Sequence, residues 1–259
     1  MPDISLKSIV IEPGGLAADV QVGPFTYIGP GVTVEAGAVI ANNVTVVGPA
    51  RIGRSCRLLP GCVLGSAAGE PGAAGVEVGD QTTIREHVVI EGGAAEPTRI
   101  GPHCLLMVGC QVGASARIEN NCIFANFTRI EPCSHVEPFV QTSGFANIGA
   151  HVTVGAYSFT TGYARIDRDA PPFAILHGLP FRVRGVNVEK LRRCGFAEES
   201  IERLKQAFRQ LFDGAALPPA PERLAQVEPL ADDANVRRLL DSLRRGGASA
   251  LGRRLESLP

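Results

Sequence analysis

An apolar residue returns every six positions along most of this chain, and few folds tolerate that period. The series runs Val22, Ile28, Val34, Ile40, Val46, Ile52, Leu58, Leu64, and its phase extends back through Leu16, Val10 and Ile4. It resumes at Val78, Ile84 and Ile90, and again from Ile100 through Leu106, Val112, Ile118, Phe124, Ile130, Val136, Thr142, Ile148, Val154 and Thr160 to Ile166. Four places after most of these sits a second, mostly small residue, such as Thr26, Ala38, Cys56, Cys62, Ala116, Cys122, Thr128, Ser134, Ala146 or Ser158. Both sets must face inward. A period of six fits neither the 3.6 of a helix nor the 2 of an alternating strand. It fits an all-β solenoid of short flat strands joined by tight corners, three hexads to a coil. Gly follows the aliphatic residue at Gly23, Gly53, Gly101 and Gly155 among others, where a corner needs little side chain or a positive φ.

Two loops interrupt the phase, Ser66–Glu77 (SAAGEPGAAGVE) and Glu91–Arg99 (EGGAAEPTR), and loops thrown out of a regular scaffold commonly carry binding groups. Asp169-Ala-Pro-Pro172 then ends the ladder, because proline cannot continue it. Beyond it the apolar period becomes helical: Glu198–Phe212 gathers Ile201, Leu204, Ala207, Phe208, Leu211 and Phe212 on one face, and Asn235–Arg245 repeats the pattern. The expected organisation is a hexad-repeat β-helix over 1–168, a linker over 169–186 and a helical C-terminal domain over 187–259 that caps the open edge.

The charge excludes some classes of function. Twenty-five basic residues oppose 26 acidic ones, for a formal charge of −1, so no net field draws the chain to nucleic acid or anionic lipid. Met1–Val10 (MPDISLKSIV) carries neither a basic n-region nor a long apolar stretch, and no later run approaches the ~20 apolar residues of a membrane helix, which points to the cytoplasm. Of seven cysteines, Cys56, Cys62, Cys104, Cys110 and Cys122 occupy the small inward slot. They are expected as reduced core filler, with no metal site.

Several short motifs resemble those of the UDP-N-acetylglucosamine O-acyltransferases that open lipid A synthesis. They are GEP at 69–71, IRE at 84–86, LLM at 105–107, FAN at 124–126 and, most specific, the stretch from Pro171 to Phe196 containing GVNVEKLRRCGF. The resemblance covers nearly the whole chain. It implies a homotrimer of left-handed parallel β-helices with helical caps, and transfer of an acyl group from acyl-carrier protein, or from a coenzyme A thioester, to a UDP-amino-sugar or a related acceptor. No cofactor beyond that thioester co-substrate is implied. By the same resemblance Asn187, Glu189 and Arg193 meet the nucleotide, a role that suits an arginine fork and polar partners for sugar or base edges. Where the family usually has a second arginine, this chain has Cys194.

The catalytic segment departs from the family. The histidine that serves as general base is replaced by Ala114, its acidic neighbour by Ser115, and other histidines of the groove by Glu91, Gln111, Cys133 and Gly149. Gln111 remains able to contact substrate. Residues eighteen apart stack along one face at about 4.8 Å, which places Ser115, Cys133 and His151 in one column. Cys133 beside His151 is a candidate catalytic pair, the imidazole activating the thiol or taking a proton from substrate. His87 and His103 at outward positions and His177 near the cap read as surface groups or subunit contacts. Two outward aromatic columns, Phe127, Phe145 and Tyr163 on one side and Phe139 and Tyr157 on another, suggest a trimer contact or an acyl-chain groove. Three functions remain open: an acyltransferase with a relocated base, a silent paralogue that binds nucleotide or acyl donor, and a different reaction on the same scaffold.

Overall fold

A computed structural model describes residues 1–66, 74–212, 217, 219–247, 249 and 251–256. The first loop is described only at its ends, so the GEP motif at 69–71 lies outside the described residues. The hexads wind into a left-handed parallel β-helix of about nine turns, with a few helices at the C-terminal end. Three sheets of eleven, nine and seven strands form among the described residues. The chain visits them in rotation, so that Gln21–Val22 lies in the first sheet, Tyr27–Ile28 in the second and Val32–Val34 in the third. Within the coils, strands pair in parallel with the equivalent strand one turn on, for example Val22 with Ile40 and Leu106 with Phe124.

The core is the one the period requires. Val22, Ile28, Val34, Ile40 and their successors through Ile166 are buried, and so are the second inward residues Thr26, Ala38, Cys56, Cys62, Ala116 and Cys122. Burying each aliphatic side chain contributes about 1.5–3 kcal/mol. The five inward cysteines are free and buried, Cys133 is half-buried and Cys194 exposed. Burial pushes the thiols of Cys56, Cys62 and Cys110 up to about 11. Where threonine takes the aliphatic place at Thr142, its hydroxyl lies 2.8 Å from that of Thr128 and accepts from the Ala125 N–H, which removes the cost of an unpaired buried hydroxyl.

The corners divide the work expected of glycine. The residue directly after the inward aliphatic must be small because the next turn approaches it: a Cβ on Gly101 would stand 2.6 Å from the Glu119 carbonyl carbon. The left-handed φ falls two places later, and non-glycine residues often hold it, among them Ser115 (57°), Phe127 (59°), Cys133 (57°) and His151 (60°). That conformation costs about 1–2 kcal/mol for an L-residue and turns the side chain away from the core. The outward columns are therefore corner columns.

After Ile166 the 169–186 segment contributes strands of its own. Ala174–His177 extends the first sheet in parallel beside Phe159–Thr160 and turns into Arg182–Val186, antiparallel to it. Four α-helices follow among the described residues: α1 (Val188–Arg193), α2 (Glu198–Phe212), α3 (Pro221–Val227) and α4 (Ala234–Gly247). They cover the end of the third-to-first corner. There Phe139 stacks on Tyr157 (4.9 Å) and Tyr157 on Phe173 (5.9 Å), Phe196 meets Tyr157 edge-on at 5.0 Å, and Lys190 sits over Phe139. This aromatic column is occupied by the chain's own cap. The other, Phe127, Phe145 and Tyr163, stacks at 5.1 Å spacing and stays 51%, 51% and 76% exposed.

The C-terminal segment returns along the third sheet. The Arg254 side chain donates to Thr153 Oγ1 (3.0 Å) and to His135 Nδ1 (3.0 Å), and His135 Nε2 faces Glu119 Oε1 at 3.2 Å. Burial, and to a lesser degree Arg254, hold the His135 imidazole below its ordinary range, with Glu119 opposing. The folded chain thus prefers neutral His135, whereas the unfolded chain takes up a proton as pH falls through about 6.5. The stability from this contact is full above that pH and declines below it. In urea denaturation between pH 7.5 and 5, the advantage of the native protein over His135→Gln is expected to shrink with acidification; a constant difference would refute this. Asp169, whose carboxyl burial shifts upward, titrates against the same segment but is common to both proteins.

Candidate active site

The corner between the second and third sheets carries most of the residues that replace the family's groove histidines. Ser115, Cys133 and His151 occupy it on successive turns, as the eighteen-residue count requires, with the Cys133 N–H on the Ala114 carbonyl and the His151 N–H on the Pro132 carbonyl. The column is not a hydrogen-bonded relay. Ser115 Oγ donates to the Glu96 carbonyl (3.2 Å), while the Cys133 and His151 side chains make no hydrogen bond to each other or to any other described residue.

The second loop folds back onto this corner. Gly93 and Gly75 exchange backbone hydrogen bonds, and the Thr98 hydroxyl accepts the Ser115 N–H at 2.9 Å. The loop is thereby anchored near both ends, and Glu91 lies on the outer surface of the second sheet.

A cavity of about 220 Å³ lies there, lined by Glu91, Gln111, Gly113, Arg129, Glu131 and Pro132, together with Val89, Val112 and Ile130. Neither Cys133 nor His151 lines it. The two carboxylates among its described lining residues are in different states. Glu131 is held by Arg129 Nε (2.9 Å) and by Asn147 Nδ2 (3.2 Å). Glu91 accepts the Ala114 N–H on Oε2 (3.1 Å) and has no cationic partner among the described residues. Among the described residues this is a polar slot with one carboxylate in an ion pair, one without a cationic partner, and a Gln111 side-chain amide without a hydrogen bond. In the sequence Glu91 stands out only as the replacement of a histidine; its approach to Ala114 crosses an inserted loop and cannot be counted from the hexads.

The residues assigned to the nucleotide lie elsewhere on the chain. Asn187 precedes α1, donating its N–H to the Phe173 carbonyl (2.7 Å) and its Nδ2 to that of Tyr157 (2.9 Å). Glu189 and Arg193 pair on the exposed face of α1, with side chains 76% and 74% exposed. They sit at the third-to-first corner near the last turns, whereas Gln111 is on the second sheet some turns earlier. One chain does not bring them together. A second, larger concavity of about 710 Å³ separates Val183–Val186 from α2, bordered by Arg184, Lys205 and Arg209. Among the described residues no group of three or more His, Cys, Asp and Glu is placed to hold a metal ion, and no helix is long and apolar enough to cross a membrane.

Known proteins match this arrangement along most of the chain. The family described as "UDP N-acetylglucosamine O-acyltransferase; domain 2" matches residues 169–252, and the bacterial transferase hexapeptide family matches 16–48. An acyl-(acyl-carrier-protein)–UDP-N-acetylglucosamine O-acyltransferase of Stutzerimonas stutzeri is 35% identical over 233 residues, 86% of this chain and 90% of that protein. The protein of the same name from Synechocystis is 37% identical over 178 residues, covering 65% of this chain and 63% of its own length. In structure, a UDP-N-acetylglucosamine acyltransferase from Bacteroides fragilis superposes with a TM-score of 0.83 at 28% identity, over 93% of this chain and 96% of that one.

Proposed function

This chain belongs to the UDP-N-acetylglucosamine O-acyltransferase family, and on that footing we propose that it transfers an acyl group from the thioester of acyl-carrier protein to a hydroxyl of a UDP-amino-sugar. The observation that carries the proposal is the 35% identity to the Stutzerimonas enzyme along 90% of its length, from the first coils into the helical domain. A thioester is an activated donor. The protein has mainly to orient the two substrates, accept the hydroxyl proton and stabilise the developing oxyanion. Asn187, Glu189 and Arg193 are the residues proposed to hold the nucleotide, and Gln111, whose side-chain amide makes no hydrogen bond to the described residues, the residue proposed to meet the acceptor sugar.

Because these two groups lie on different corners, the complete site is proposed to form between neighbouring subunits of a homotrimer. The exposed stack of Phe127, Phe145 and Tyr163 is an apolar strip suited to such a contact. Light scattering at micromolar concentration is expected to give three times the chain mass of 27.2 kDa, and a monomer would refute the shared site. Incubation with UDP-N-acetylglucosamine and a series of acyl-carrier-protein thioesters is expected to yield an acylated UDP-sugar by mass spectrometry. UDP binding without product from any thioester would instead identify a nucleotide-binding paralogue without turnover.

A further inference from the structure

We propose that Glu91 is the proton acceptor of this enzyme, an inference that rests on the acyl-transfer reading above. Attack of a hydroxyl on a thioester needs a base within hydrogen-bond reach of the attacking oxygen. Among the described residues no histidine lines the cavity on the second sheet, and its ionisable acceptors are Glu91 and Glu131. Glu131 is spent: Arg129 and Asn147 engage it, and taking a proton would break a charge-assisted pair.

Glu91 is in the opposite condition. The Ala114 N–H fixes its Oε2, which orients the carboxylate, and Oε1 makes no hydrogen bond within the described chain. The carboxylate therefore stands against the backbone of the residue whose own side chain has no proton-accepting group. Anchoring of the loop through the Gly75–Gly93 exchange and the Thr98–Ser115 contact holds that geometry without substrate. In the step, the acceptor hydroxyl oxygen bonds to the thioester carbonyl carbon, the C–S bond breaks, and Glu91 takes the hydroxyl proton and passes it to the departing thiolate. The products are an ester and a free thiol, and the carboxylate is regenerated.

The full-length protein, assayed with UDP-N-acetylglucosamine and an acyl-carrier-protein thioester, tests this. Glu91→Gln keeps an oxygen that can accept the Ala114 N–H, so the slot is preserved. It is expected to lower kcat/KM by about 10²–10⁴-fold, while the Kd for UDP-N-acetylglucosamine measured by calorimetry stays within about twofold. Glu91→Asp, which keeps a carboxylate, is expected to retain part of the rate. A Glu91→Gln protein with the native rate would overturn the assignment, as would abolition by His151→Ala in a protein that tolerates Glu91→Gln. A native protein that turns over no acyl thioester overturns the acyl-transfer reading itself, and this inference with it.

Discussion

Truncating Phe124 to Ala is expected to cost about 3–5 kcal/mol of folding stability, the upper end of the range for removing one core side chain. Phe124 is the one aromatic residue in an inward series otherwise made of aliphatic and hydroxyl side chains, and it is fully buried. It lies in the first sheet, where the chain pairs it with Leu106 on the preceding turn. A solenoid turn has no second layer that can collapse into a vacated space, because the ladders hold strand spacing at about 4.8 Å. Most of the removed volume therefore remains as a cavity. Urea denaturation at fixed protein concentration, followed by circular dichroism, measures the effect; a loss below about 1 kcal/mol would mean that the prism repacks freely. Phe124→Leu, which restores the side-chain class of the rest of the series, is expected to recover more than half of the loss.

Removing the Arg193 guanidinium is expected to weaken UDP binding by about ten- to a hundredfold, the scale of a charge-assisted contact to a diphosphate. In the free protein one N–H of the fork is engaged by Glu189 at the exposed surface of α1. An exposed pair of this kind contributes little to stability, so its loss should leave the thermal midpoint nearly unchanged. The remaining donors of the fork are available to a phosphate. Calorimetric titration of native and Arg193→Ala proteins with UDP separates the outcomes. Equal affinities would reduce Glu189–Arg193 to an ordinary helix-surface pair, and no binding to the native protein would remove the nucleotide site itself. Arg193→Lys keeps the charge but not the paired geometry, and is expected to recover only part of the affinity.

The coil and its inward residues were legible in the residue order, since a prism with three inward-facing strips repeats the same apolar demand at every corner. The helix over Glu198–Phe212 was equally legible, because its apolar stripe follows the local 3.6-residue period and depends on no distant partner. The columns of Ser115, Cys133 and His151 and of the outward aromatics also followed from counting. Counting fails where loops enter. The ladder joins Leu64 to Ile90 and Ile90 to Val112, neither eighteen residues apart, and the contact of Glu91 with Ala114 is created inside that shifted register. The same holds for Arg254, which reaches His135 across the third sheet from a segment with no period of its own. It holds also for which aromatic column the cap covers, since Phe139 and Phe127 occupy equivalent corner positions in sequence. Repetition is written locally because each turn must satisfy the same burial. The pairing within the slot, with one carboxylate in an ion pair and one without a cationic partner among the described residues, is decided by which side chains the folded corners bring within about 3 Å, and no local pattern encodes that distance.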